Sequence, residues 1–288
     1  MIVTKLMGGL GNQMFQYALG RRLAHERDVP LKLDLSWFRE ARAMGVDTIR
    51  EYALDGWRVQ ASVATEEDLL RFPSRAGLLA RLGLRKSSRL KERGFGFDPT
   101  VLQAPADAHL TGYWQSEMYF QPIRWALLDE FMPAQAPCPH VASLMEPMRS
   151  QPAVSVHVRR GDYATDTRTR AFHGLCPPEY YREAVRRIAE RVVDPTLYVF
   201  SDEPDWVRDN LKLDRPTIYV THEAGCTPHH DMWLMSQCSH HIIANSSFGW
   251  WGAWLCRDDA KIVIAPLRWF TDPNVDTRDL IPDGWERI

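Results

Sequence analysis

Two arginines stand side by side in HVRRGDYATD, at the end of an apolar run, AVSVHV, that reads as a buried strand. Along a strand His157 and Arg159 share one face, and Val158 and Arg160 the other. Uncompensated charge at the end of a buried strand is costly, so both guanidiniums need anionic partners. Asp162 can supply one within the turn, which would make the motif a local brace. The second guanidinium is then left for an outside anion, and arginine grips phosphate through paired N–H donors. The sharper expectation is that Arg159 neutralises a diphosphate leaving group.

Three other stretches have residue types that fit the same chemistry. NSSFGWWGAWL opens a helix on Asn245, Ser246 and Ser247, with Phe248 next. Free backbone N–H groups and hydroxyls at such a start bind anions, although the same residues also serve as ordinary caps. Asp231 begins DMWLMSQC. Beside a phosphate site its carboxylate could accept from the N1–H and N2–H of guanine; alone, it is an acid favoured in a first helical turn. GGLGNQ follows the strand IVTKL. Gly9 and Gly11 fit a dinucleotide fingerprint, Met14 fails its third position, and Asp34 lies near where that fold places its ribose-binding acid. A P-loop would end in Lys-Ser/Thr, whereas Asn12 and Gln13 stand here. The plain alternative is a tight turn that lets a helix pack on the strand.

The elements that must position these residues alternate between strand and helix. Apolar runs without strict two-residue alternation predict parallel sheets covered on both faces. Ligands in such sheets sit at the carboxyl ends of strands. GGLGNQ, HVRRGDY, SDEP and NSSFGWW all fall at such ends. The proline-rich stretch MPAQAPCPH reads as a stiff linker, giving two α/β domains over residues 1–136 and 137–288. SEMYFQPIRWALLDEF reads as a helix. Residues 63–92 read as helical and basic, and Arg81, Arg85, Lys86, Arg89, Lys91 and Arg93 form a solvated face or a contact with an anionic membrane or lipid-linked acceptor.

Composition narrows the function classes. The 288 residues are 45% hydrophobic, enough for a core, and the net charge of −2 leaves no footprint for nonspecific nucleic-acid binding. The five cysteines are widely spaced, odd in number and lack a C-x-x-C pair, which favours reduced thiols in a cytosolic setting. No signal peptide or membrane-spanning run is expected. The eleven tryptophans hint at sugar platforms, although most tryptophans are core. No D-x-D, H-E-x-x-H or other metal-ligand spacing occurs. A diphosphate site without a metal must rely on arginine, helix termini and backbone N–H groups.

Taken together, GGLGNQMFQYA, GYWQSEMYF, HVRRGDY and HHDMWLMSQCSHHIIANSSFGWWGAWL resemble the α1,2-fucosyltransferases of glycosyltransferase family 11, in the same order, from the first strand to about residue 270. The resemblance implies a GT-B-like fold, two Rossmann-like α/β domains facing each other across a cleft. It implies GDP-fucose as donor, O2 of a terminal β-galactose in a glycan as acceptor, inversion at the anomeric carbon, and no required metal or other cofactor. Related α1,6- and protein O-fucosyltransferases share H-x-R-R-x-D, which falls here on His157, Arg159, Arg160 and Asp162; their arginine two places past the histidine holds the donor diphosphate. In the α1,6 enzymes an Asp followed sixteen residues later by Ser reads guanine and binds the nucleotide, a spacing that matches Asp231 and Ser247. The Asn of G-x-G-N-Q lies at the reaction centre in the protein O-fucosyltransferases, which points to Asn12. The downstream Glu that is a base candidate in the α1,6 enzymes has no match here.

The expected catalytic residues are therefore Arg159, Asp162 as base, and Asn12. The expected donor side adds Gly9, Gly11, Gln13, His157, Asp231, Asn245, Ser246, Ser247 and Phe248. The expected acceptor side has Tyr113, Trp114 and Asp34, with core packing the alternative for the two aromatics. A GDP-sugar transferase of another linkage or donor, and a nucleotide-sugar binding module without turnover, are the competing readings. A cytoplasmic setting is expected, with peripheral membrane contact left open.

Overall fold

Apolar strands that each run into a helix build two separate parallel sheets. The computed structural model describes residues 1–43, 50–72, 88–221 and 225–288. One compact unit comprises Met1–Met132 with Asp276–Pro282, and the other Pro133–Val275 with Asp283–Ile288. The chain thus divides close to the proline-rich stretch. The segment Asp276–Pro282, expected in the C-terminal half, instead belongs with the first unit. Its anchor there is Asp279, whose carboxylate accepts the Phe97 N–H at 2.9 Å.

The first unit runs β1 (Ile2–Lys5), α1 (Leu10–Glu26), β2 (Leu31–Asp34), α2 (Ser36–Ala43), β3 (Ser62–Val63), α3 (Glu66–Leu70), β4 (Ser88–Lys91), β5 (Ala108–Thr111) and α4 (Arg124–Glu130). Its strand order is β3-β2-β1-β5-β4, with every pairing parallel. β1 is central, and Ile2 and Val3 are buried along with Met14, Phe15, Ala18 and Leu19 of α1. Two sequence expectations are corrected. Residues 116–131 are not one helix: short 3-10 turns cover Glu117–Tyr119 and Gln121–Ile123, and α4 starts only at Arg124, past Pro122. Residues 88–91, read as the end of a basic helix, form the edge strand β4. Arg89 and Lys91 are exposed on it, and charge on an edge strand discourages pairing with another chain. Arg81, Arg85 and Lys86 lie outside the described residues.

The second unit runs α5 (Pro139–Ser150), β6 (Ala153–Val158), α6 (Gly161–Thr165), α7 (Thr167–His173), α8 (Pro178–Ala189), β7 (Thr196–Ser201), α9 (Pro204–Asn210), β8 (Thr217–Tyr219), α10 (Pro228–Met235), β9 (His240–Ile242), α11 (Ser247–Trp254), β10 (Val263–Ala265) and β11 (Glu286–Arg287). The order is β11-β10-β9-β6-β7-β8, again parallel throughout. All six residues of β6 are buried. α8 shows why its segment is helical: Tyr180, Tyr181, Ala184, Val185 and Ile188 form a buried stripe against Val154, Val156, Leu197 and Val199. Each buried valine, leucine or isoleucine among them contributes about 1.5–3 kcal/mol of burial. Trp250, Trp251 and Trp254 of α11 contact one another, and Trp285 packs on Trp250, so four of the eleven tryptophans are packing residues.

The cysteines also depart from expectation. Cys138 and Cys226 form a disulfide across 88 residues of sequence, with Cα atoms 5.7 Å apart, and only Cys176, Cys238 and Cys256 are free. The bond ties the residue before α5 to the loop that enters α10. Spacing could not reveal it, because the two sites meet only when α5 and α10 pack together. Among the described residues no helix is long and apolar enough to cross a membrane.

Candidate active site

In the second unit β9, β6 and β7 are neighbours, so the polar stretches that follow them share one sheet edge. Past β6, the Arg159 guanidinium is held between two carboxylates. Nη2 meets Asp162 at 2.5 Å and Nη1 meets Asp202, past β7, at 2.7 Å. Arg160 pairs through Nε with Glu203 at 2.9 Å and stacks over Trp206, while its backbone N–H donates to Asp202. The expectation that one guanidinium is left without a protein partner is therefore corrected: both are paired, because SDEP lies on the strand next to HVRRGD. Arg159 keeps 23% of its side-chain surface exposed, so it remains reachable by an outside anion.

His157 is buried one residue before the end of β6, and its ring stacks on Phe248 at 5.6 Å. Burial, reinforced by the nearby Arg159 charge, pushes its pKa down to about 3, so the ring is neutral near pH 7. Its Nδ1 is buried without a hydrogen-bond partner. Gly249 makes this fit, since a Cβ there would fall 2.6 Å from that nitrogen. Ser246 caps α11 by accepting the Phe248 N–H, and Ser247 is the first helical residue. Asn245 is used as a brace. Its Nδ2 donates to the carbonyls of His173 and Trp269, and its Oδ1 accepts from the Cys176 thiol. Asp231 is buried in the first turn of α10, which packs on α11.

The edge of the first unit is built differently. Gly8, not Gly9 or Gly11, takes the left-handed conformation, with φ of 74°, and Gly9 caps α1. A Cβ on Gly8 would meet the Asn12 amide at 2.6 Å. The Asn12 Oδ1 accepts from the Gln115 amide at 2.8 Å. Gln13 is fully buried and its amide is spent on the fold: Nε2 donates to the Gly8 and Glu51 carbonyls, and Oε1 accepts from the Ala53 N–H. Its expected place on the donor side is replaced by this brace.

The Asp34 carboxylate is also occupied, pairing with His109 and accepting the Ser36 N–H at the start of α2. Burial alone would raise its pKa, but these hydrogen bonds outweigh burial and hold it at about 2. Trp114 is only 1% exposed and packs edge-on against Tyr119, so its ring is core and not a platform. Tyr113 is half-buried at the same turn.

The chain matches the model of glycosyl transferase family 11 over residues 93–288. The chain belongs to glycosyl transferase family 11. It is 34% identical over its whole length to the alpha-1,2-colitosyltransferase of Escherichia coli, covering 98% of that protein. It is 30% identical to the galactoside 2-alpha-L-fucosyltransferase Sec1 of Mus musculus, over 57% of this chain and 45% of that one. Among solved structures it is similar to the fucosyltransferase NodZ from Bradyrhizobium, with a TM-score of 0.51 and 13% identity over 88% of this chain and 92% of that one. At that identity the likeness speaks for the fold, which is GT-B-like, in keeping with the two parallel α/β sheets.

Four residues of this family 11 chain that the sequence reading left without a role stand at the two sheet edges, Asp202 and Glu203 in the second unit, Gln115 and Glu92 in the first. Asp202 and Glu203 belong to SDEP, whose position after a strand was visible but whose adjacency to HVRRGD was not. Gln115 sits inside GYWQ, hidden behind the aromatic pair. Glu92, past β4, accepts the backbone N–H groups of Tyr113 and Trp114. Burial pushes its carboxyl above the usual range against the pull of those two donors. No motif announces it. Among the described residues no group of three His, Cys, Asp or Glu is placed to hold a metal ion.

Proposed function

We propose that this family 11 glycosyltransferase moves L-fucose from GDP-fucose to O2 of a terminal β-galactose, with inversion and without a resident metal. The observation that carries the reading is the partly exposed Arg159 guanidinium past β6, the strand next to β9, whose end leads into the serine-capped α11. The acceptor oxygen attacks the anomeric carbon, the bond from that carbon to the phosphate oxygen breaks, and GDP leaves with the electron pair. Arg159 and the N–H groups at the start of α11 would stabilise the charge that develops on the diphosphate. To do so, the diphosphate must replace Asp162 or Asp202 as partner of Arg159. Asp162, once released, is the candidate to take the acceptor proton. Asp231 and Ser247 would hold the nucleotide, and Asn12 would orient the incoming hydroxyl.

Whole-length similarity to a colitosyltransferase favours a second reading of the donor. Colitose is fucose without its 3-hydroxyl, so the two readings share every step above and differ at one sugar oxygen. Incubation with GDP-fucose or GDP-colitose and a panel of β-galactosides, in buffer containing EDTA, tests both. The expected result is GDP release matched by an α1,2-linked fucosyl product. Preference for GDP-colitose moves the reading to the deoxy donor. GDP binding without transfer from either donor overturns it in favour of a binding module, and loss of activity restored by Mg2+ or Mn2+ overturns the metal-free mechanism.

A further inference from the structure

In the first unit the turn after β5 has an unusual conformation for its residues. Trp114 has a φ of 58°, in the left-handed region that a bulky aromatic residue rarely adopts. Such a conformation persists only where the surroundings enforce it. The enforcing group is the Glu92 carboxylate: Oε2 accepts the Tyr113 N–H at 2.7 Å and Oε1 accepts the Trp114 N–H at 2.8 Å. Glu92 reaches them because β4 and β5 are adjacent, and its own N–H donates to the Thr111 carbonyl at 2.9 Å. Gly112 leaves the room, since a Cβ there would lie 2.4 Å from the Glu92 Cβ. The buried Trp114 ring locks the turn from the other side, and the Trp114 carbonyl accepts from the Ser116 N–H at 2.8 Å.

The residue released by this turn is Gln115, whose amide donates to the Asn12 Oδ1. Asn12 is in turn fixed against Gly8 of the first glycine turn. A carboxylate after β4 therefore sets, through a twisted tryptophan, the orientation of two neutral carboxamides after β5 and β1. Carboxamides present one donor and one acceptor face, the complement of a neutral sugar hydroxyl.

We infer that Glu92 is a positioning residue for acceptor binding, acting through the Trp114 turn on Gln115 and Asn12. The inference rests on the glycosyltransferase reading above and adds a residue that acts without touching the sugar. A glutamine cannot replace it, because its NH2 would face one of the two backbone N–H groups and only one bond would survive. A merely structural Glu92 would lower stability and all activities together, whereas a positioning Glu92 separates acceptor from donor.

The test compares wild type, Glu92→Gln and Gln115→Ala with the preferred GDP-sugar and a β-galactoside, alongside GDP affinity by calorimetry and thermal melting. The expected result is an acceptor KM raised about tenfold or more in both variants, as a small displacement of a positioning group produces. GDP affinity should stay within about twofold of wild type, because uniform damage to the fold would move both. Gln115→Ala leaves the Glu92 contacts intact, so it keeps the test readable if Glu92→Gln folds poorly. Unchanged acceptor KM in both variants overturns the inference alone, as does a parallel loss of GDP affinity and melting temperature in Glu92→Gln with no effect of Gln115→Ala. A wild-type chain that transfers no sugar overturns the inference together with the reading beneath it.

Discussion

The carboxyl edges of the two sheets are built from opposite chemistry. On the second, Arg159 and Arg160 interlock with Asp162, Asp202 and Glu203, so that edge holds charge ready to be exchanged. On the first, Asn12, Gln13 and Gln115 are carboxamides whose bonds run to one another and to backbone, and the carboxylates of Asp34 and Glu92 are closed by His109 and by backbone N–H groups. An ion pair at a partly exposed site can be swapped for a diphosphate at modest cost, since the arginine never loses a partner. A buried amide whose donors and acceptor are all satisfied cannot be swapped without leaving polar atoms unpaired. The second edge is therefore open to anion exchange, and the first is fixed by its internal bonds.

The largest effect should come from breaking the charged edge. Arg159→Ala is expected to lower kcat by about 10³-fold while the far-UV spectrum stays native, because the developing leaving-group charge loses its main donor. Near-normal turnover would remove the diphosphate role. Next is Gly249→Ala, whose Cβ would fall 2.6 Å from the His157 Nδ1 and displace that ring from Phe248. Donor KM should rise by about 10-fold to 10²-fold with acceptor KM unchanged, since small displacements at a site cost that much. An effect confined to the acceptor would place His157 on the wrong side of the contrast.

The edge of the first unit should respond in stability before activity. Gln13→Ala removes three hydrogen bonds from a fully buried amide and should destabilise by about 2–3 kcal/mol. Asn12→Ala loses one bond, to Gln115, and should cost about 1 kcal/mol. Its larger effect should be on acceptor KM. Denaturant titration of the pair checks the order, and equal losses would show that Asn12 too is only a brace.

The effect furthest from turnover is on the pH dependence of stability. Burial, with Arg159 adding, holds His157 at about 3, and burial holds His173 at about 4 against the opposing pull of Asp162. Both lie below the unfolded value of about 6.5, so between these pH values the unfolded chain binds more protons. Stability is then present above about pH 6.5 and lost as the pH falls toward 4, by up to about 1.4 kcal/mol per pH unit for each ring. Unfolding midpoints measured against pH should show a shallower slope for His157→Asn. An unchanged slope would mean that this ring is not held neutral.

Much of this was legible because the residues that choose an element lie next to one another. AVSVHV is a strand and PPEYYREAVRRIAERV a helix from periodicity alone. The capping serines of NSSFGWW and the strand-end position of HVRRGDY needed only local order. Illegible were Gln13, Asn245 and Asp34, whose polar side chains suit a ligand equally well but are spent on backbone and histidine partners far along the chain. The disulfide and the β4 edge were hidden for the same reason.

The sequence by itself determined most of the element types outside residues 88–91 and 116–131, the two parallel sheets and the membership of a family whose motifs survive at short range. Periodicity, caps and strand-end polar residues are properties of neighbouring positions. Only the tertiary structure decided which polar groups are free to meet a ligand. Strand order set SDEP beside HVRRGD and Glu92 beside Tyr113, and a hydrogen-bonding group already satisfied by a distant partner is closed to a new one whatever its sequence context.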